Sequence, residues 1–86
     1  MSRIILRATN GGYTYVMTSD SVLLEDRRAM VFGIGISGDG EEALIEDISC
    51  CRDDVSRLFT DMVEGCASPL HLYDIAADRL SEAQQM

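Results

Sequence analysis

Eighty-six residues suffice for one small domain, and with 47% of them hydrophobic the chain can build a core without disulfides and is too apolar to be disordered. Fifteen carboxylates stand against seven arginines and no lysine, for a net charge of −8. Such a surface repels phosphate backbones and anionic membranes, which leaves a basic protein partner, a metal or plain solubility as compatible readings.

From the N-terminus, Ile4–Leu6 is an apolar run too short for a signal-peptide core of ~7–15 residues. No stretch approaches the ~20 apolar residues of a membrane span. The expected location is therefore the cytosol, where Cys50, Cys51 and Cys66 are reduced thiols. Arg3 to Thr9 reads as a strand. Asn10-Gly11-Gly12 supplies the positive φ angles of a tight hairpin. Tyr13 to Ser19 suits a pleated, half-buried surface. Asp20-Ser21 is expected to break this strand before Val22-Leu23-Leu24, and Glu25 to Arg28 reads as a charged loop. Ala29 to Ser37 is the most apolar strand, Ser37-Gly38-Asp39-Gly40 a further turn, and Glu41 to Ser49 a fourth strand.

The period then changes from two to about 3.6. Val55, Leu58, Phe59, Met62, Val63 and Cys66 form one apolar helical stripe, with Asp53 and Asp54 in the first turn and Gly65 near the stop. Ser68-Pro69 opens a second helix with Leu72, Ile75, Ala76 and Leu80 on its apolar face. Residues 81–86 are expected to fray. Strands followed by helices make a single α+β domain over residues 1–86: an antiparallel β-sheet of three to five strands with two C-terminal helices packed on one face.

Gly33, Gly35 and Gly38 match G-x-G-x-x-G, the pattern of a dinucleotide-binding loop. That loop works only where a helix follows and points its N–H groups at a pyrophosphate. Here Asp39-Gly40-Glu41-Glu42 follows, and its carboxylates would face the phosphates. The expectation is a glycine-rich strand meeting a hairpin turn, with Gly33 and Gly35 admitting a helix side chain or a neighbouring backbone. Adjacent Cys50 and Cys51 cannot form C-x-x-C, and with Cys66 and the single histidine they match no zinc spacing. One of the pair is expected buried and the other exposed, and Cys66 is expected to pack as a small hydrophobe.

His71, Asp74 and Asp78 fall at i, i+3 and i+7 on one face of the second helix. With Tyr73 they form the candidate surface site, able in principle to hold a divalent metal or move a proton. A solvated face opposite Leu72, Ile75, Ala76 and Leu80 is the simpler reading and the favoured one. No catalytic triad fits a chain with one histidine and no nucleophile elbow, and basic residues do not interleave with aromatics as nucleic-acid binding requires. Neither a catalytic residue nor a cofactor is assigned.

FGIGI (Phe32 to Ile36), EDIS (Glu46 to Ser49), DDVSRLFTDMVE (Asp53 to Glu64) and SPLHLYDIAADRL (Ser68 to Leu80) resemble a small, functionally uncharacterised family of Clostridia-type bacteria. The likeness covers the C-terminal half and includes the Pro-x-His-x-x-Asp pattern of Pro69, His71 and Asp74. It departs from the pattern at Arg79, where an apolar residue is usual. The resemblance implies a stand-alone bacterial cytosolic protein and names no activity. The leading expectation is a non-enzymatic protein-interaction or regulatory module, binding a protein that is basic or a second copy as a homodimer, with no nucleic acid and no membrane. The alternatives are a nucleic-acid mimic seated in a basic protein groove, or a small metal-dependent enzyme using His71, Asp74 and Asp78.

Overall fold

Four strands follow one another as a meander: β1 (Arg3–Asn10), β2 (Tyr13–Leu24), β3 (Arg27–Gly38) and β4 (Glu41–Ser49) form one antiparallel sheet in the order β1-β2-β3-β4. The structure is a computed structural model that describes residues 3–74. The α+β layout anticipated from the sequence is the observed one.

The meander follows from its turns. Each hairpin loop has two residues: Gly11-Gly12 (φ 60° and 85°), Glu25-Asp26 (50° and 64°) and Asp39-Gly40 (54° and 74°). Positive φ at both central positions is the type I′ requirement, and its backbone twist matches that of the flanking strands. Two sequence expectations are corrected here. Asp20-Ser21 does not break β2, because Asp20 pairs with Val31 and Ser21 with Met30 in an unbroken register reaching Leu24↔Arg27. The charged loop contracts to Glu25-Asp26, and Arg27 and Arg28 open β3.

Side chains alternate between the two faces of the sheet. Tyr15, Met17, Phe32, Ile34, Ile36 and Ala43 point to one face and are buried there. Against them packs α1 (Arg52–Glu64), through Val55, Leu58, Phe59 and Met62, with Val63 partly buried alongside. Each large side chain so covered contributes about 1.5–3 kcal/mol. The apolar stripe read from the sequence is thus the seam between helix and sheet.

Cys66 is the exception in that stripe. The helix stops before it: Gly65 is the C-cap at φ −86°, and Cys66 takes the left-handed conformation (φ 51°). The Ala67 N–H donates to the Met62 carbonyl (3.0 Å) and the Cys66 N–H to the Val63 carbonyl (3.2 Å). This is a Schellman stop with cysteine where glycine is usual. Cys66 is therefore exposed rather than a core hydrophobe.

The sheet holds this helix end by two side chains. Asn10 Nδ2 donates to the Val63 carbonyl (2.7 Å), and the Tyr15 hydroxyl donates to the Ala67 carbonyl (2.7 Å). Residues 69–74 then form the opening of the second helix, whose Leu72 is fully buried in the core between α1 and the sheet. The expectations for Ile75, Ala76, Leu80 and the tail at 81–86 lie outside the described residues.

Candidate functional site

His71, Tyr73 and Asp74 all stand exposed on the second helix, and Asp78 lies outside the described residues. His71 is already occupied at one ring nitrogen. Its Nδ1 lies 3.2 Å from the Ser68 hydroxyl and accepts the Ser68 N–H at 3.5 Å, while its own backbone N–H donates to the Ser68 carbonyl (3.0 Å). The side-chain return to the Ser68 N–H is half of a capping box, with imidazole where Glu or Gln usually sits, and it fits Ser68-Pro69-x-His71 as a helix start. Among the described residues no three His, Cys, Asp or Glu side chains are grouped to hold a metal ion. Tyr73 leaves the other two and lines a depression on the far side of the sheet.

Cys50 and Cys51 are both exposed, not divided between core and surface as expected. They sit at the junction before α1, where the Cys51 N–H donates to Ser49 Oγ (3.0 Å) and its carbonyl accepts from the Val55 N–H (3.2 Å). Neither thiol caps the helix: Cys51 is the N-cap residue without a side-chain bond.

The glycine segment is a strand. Gly38 leads through Asp39-Gly40 into β4, so a strand and not a helix follows it. Gly33 sits where the β3–β4 register shifts between Phe32 and Ile34, and there β4 crosses closely. A Cβ at Gly33 would collide with the backbone of Ile45 and Glu46. Among the described residues, Gly35 is met by sheet side chains rather than a helix side chain. A Cβ there would lie 3.0 Å from Val16 Cγ2 and 3.2 Å from Leu44 Cδ1.

These contacts define the sheet face turned away from α1. Register places Arg7, Val16, Gly35 and Leu44 in one row across the four strands. Along β3 the residues on this face are Gly33, Gly35 and Ser37, so the strand forms the floor of a furrow walled by Val16 and Leu44. The furrow encloses about 570 Å³, with Ile4 and Arg7 at the β1 side and Tyr73 at the mouth. Ile4, Leu44 and Tyr73 each expose about half of their surface. Two residues beyond Val16, Thr18 is 3% exposed and its hydroxyl has no hydrogen-bond partner.

A second exposed apolar feature is the far end of the β2–β3 hairpin. β1 pairs with β2 only as far as Ser19, and β4 with β3 only as far as Phe32. Ser21–Leu24 and Arg27–Met30 therefore extend past both neighbouring strands as a two-stranded arm. Leu23 (68% exposed) and Met30 (48%) occupy one face of it. The Ser21 N–H is taken by the Asp20 carboxylate (2.8 Å).

Neither feature was located from the sequence. The signal for the furrow is Gly33-x-Gly35-x-Ser37, three small residues at strand period. The signal for the arm is apolar Val22-Leu23-Leu24 beside Ala29-Met30, in strands longer than their neighbours.

No helix among the described residues is long and apolar enough to cross a membrane. Searches of curated proteins and of solved structures return no match to the chain. A family model does match, and over residues 5–82 rather than the C-terminal half alone, so the sheet, α1 and the second helix are family features together. The chain belongs to DUF6514, a family of unknown function.

Proposed function

We propose that this chain is a non-enzymatic protein-interaction module of the bacterial cytosol, and that its β2–β3 arm is the element that engages a protein partner. The arm carries the reading: a ribbon of four residue pairs extends past β1 and β4, with Leu23 and Met30 exposed on one face. An unpaired strand edge is a template for another chain, and proteins blunt such edges unless they use them. Asp20 blunts the β2 side by holding the Ser21 N–H. The β3 side presents Arg27–Met30, with Arg27, Arg28 and Met30 exposed. The partner adds a strand there and covers Leu23 and Met30 with apolar side chains.

The test is affinity capture from the native organism with mass spectrometry, paired with light scattering of the purified chain. The double variant Leu23→Lys, Met30→Lys replaces exposed side chains only, so it leaves the core intact. It is expected to lose the captured protein, or the self-association, that the native chain shows. A variant that recovers the same partner, or a native chain that is monomeric and retrieves nothing, removes the arm as an interaction element.

A further inference from the structure

The two outermost strands of the sheet carry opposite charge. β1 has Arg3 and Arg7 and no carboxylate, while β4 has Glu41, Glu42, Glu46 and Asp47 and no base. All of these side chains are exposed. Among the described residues β1 pairs only with β2, and β4 only with β3. We propose that the two edges pair with each other between molecules: β1 of one copy adds to β4 of the next, so the partner at either edge is a second copy of this chain.

Three observations carry this. The first is charge. Like charges facing each other across strands oppose pairing, and opposite charges favour it. Two β1 edges would set arginines against arginines, and two β4 edges would set carboxylates against carboxylates. The combination of β1 with β4 joins unlike charges, and it is head-to-tail.

The second is extent. β1 pairs regularly with β2 over Leu6–Asn10, and its register shifts between Ile4 and Leu6. β4 pairs regularly with β3 over Glu41–Ile45, and its register shifts beyond Ile45. Each edge is therefore regular over a stretch of the same length and irregular beyond it, where a bulge turns the edge away from pairing. The two stretches stand level at one end of the sheet. Register carries Arg7 through Val16 and Gly35 to Leu44, and Asn10 through Tyr13 and Gly38 to Glu41.

The third is direction and fit. Each strand is antiparallel to its neighbour, so β4 runs opposite to β1. A copy set beside the first in the same orientation lays its β1 antiparallel to β4 and continues the meander, with both α1 helices on one face. In the level register, Arg7 of the second copy stands opposite Leu44, with Glu42 and Glu46 two residues to either side. Diagonal neighbours of this kind are within reach of a long side chain. The arginine stem covers Leu44, which is half exposed, and its guanidinium lies between the two carboxylates.

So short a strand pair buries little area, and the association is weak and concentration-dependent. It concerns the outer strands and not the β2–β3 arm, and the charges it uses lie off the arm.

Analytical ultracentrifugation of the full-length chain and two charge-reversed variants decides it. The mean mass of the native chain is expected to rise with concentration. Arg7→Glu alone, and Glu42→Arg, Glu46→Arg alone, are each expected to raise the dissociation constant at least about tenfold. An equal mixture of the two variants is expected to associate as the native chain does, because each now offers the edge that suits the other. Circular dichroism and hydrogen exchange across α1 confirm that each variant is folded; should the double reversal unfold, Glu42→Arg alone takes its place. A native chain that stays monomeric at every concentration overturns the proposal and leaves the edges to a strand of another protein. Association unchanged in Arg7→Glu overturns it too, and leaves the arm as the surface that self-associates. So does a mixture of folded variants that fails to recover the association.

Discussion

Tyr15 shows how one side chain decides where the helical layer sits. Its ring is fully buried and meets Tyr13 edge-on, with centroids 6.4 Å apart. Its hydroxyl donates to the Ala67 carbonyl immediately after the Schellman stop. The bond fixes the exit of α1 and hence the start of the second helix. Tyr15→Phe deletes the donor and strands a carbonyl in a dry site, an expected cost of about 1–2 kcal/mol in chemical denaturation. The same residue gives the fold an alkaline limit. Burial, aided by the neighbouring Cys66 and Tyr13, raises its pKa above the ordinary value of 10.0. The unfolded chain then releases this proton before the folded chain does, so the contribution is complete below pH 10 and declines as pH rises beyond it. Native protein should lose stability more steeply than Tyr15→Phe above pH 10. Parallel curves in that range would mean that the hydroxyl ionises as freely in the fold as outside it.

At the scale of elements, the turns separate what the sequence states from what it conceals. Gly11-Gly12 and Asp39-Gly40 announce type I′ hairpins because glycine takes positive φ without steric cost. Glu25-Asp26 forms the same turn (φ 50° and 64°) with two residues that resist it. Poor turn formers beside poor strand formers at Asp20-Ser21 hid the continuous arm; pairing to β3 overrides both. The α1 stripe was legible through Val63, where periodicity and packing agree. It failed at Cys66, because Gly65 ends the helix one residue before the pattern does. The furrow needs register, which one strand's alternation does not contain: only the pairing Val16↔Gly35↔Leu44 shows that a glycine lies between two apolar walls. The candidate residues His71, Tyr73 and Asp74 stand exposed on a helix, and Ser68 engages His71 Nδ1, a contact that helical spacing alone does not reveal. The strain at Glu25-Asp26 is open to direct test. Replacing the pair by Asn-Gly relieves left-handed strain by about 1 kcal/mol, read as a roughly fivefold rise in amide protection along 20–31. Unchanged protection there would show that the turn does not limit the arm's stability.

Across the whole molecule, the excess of carboxylates bears on stability. Fifteen carboxylates and seven arginines leave −8 on 86 residues. Eight of the fifteen carboxylates stand in adjacent pairs, Glu25-Asp26, Glu41-Glu42, Glu46-Asp47 and Asp53-Asp54, each exposed. Folding draws these clusters together, and the repulsion weighs against the compact state more than against the extended chain. Asp53-Asp54 is the favourable exception, since it faces the positive end of the α1 dipole. Salt shortens the Debye length from about 30 Å at 0.01 M to about 3 Å at 1 M, so it weakens repulsion between charges that are not in contact. Raising sodium chloride from about 0.01 M to about 0.5 M is therefore expected to stabilise the fold by on the order of 1 kcal/mol, an increase in Tm of about 4–8 °C for a domain of this size. The helix-dipole contribution is screened by the same salt, so the net rise measures how far repulsion between clusters exceeds it. A Tm that falls with salt would show that the arginines and the helix ends neutralise the carboxylates locally, and that the acidic surface does not strain the fold.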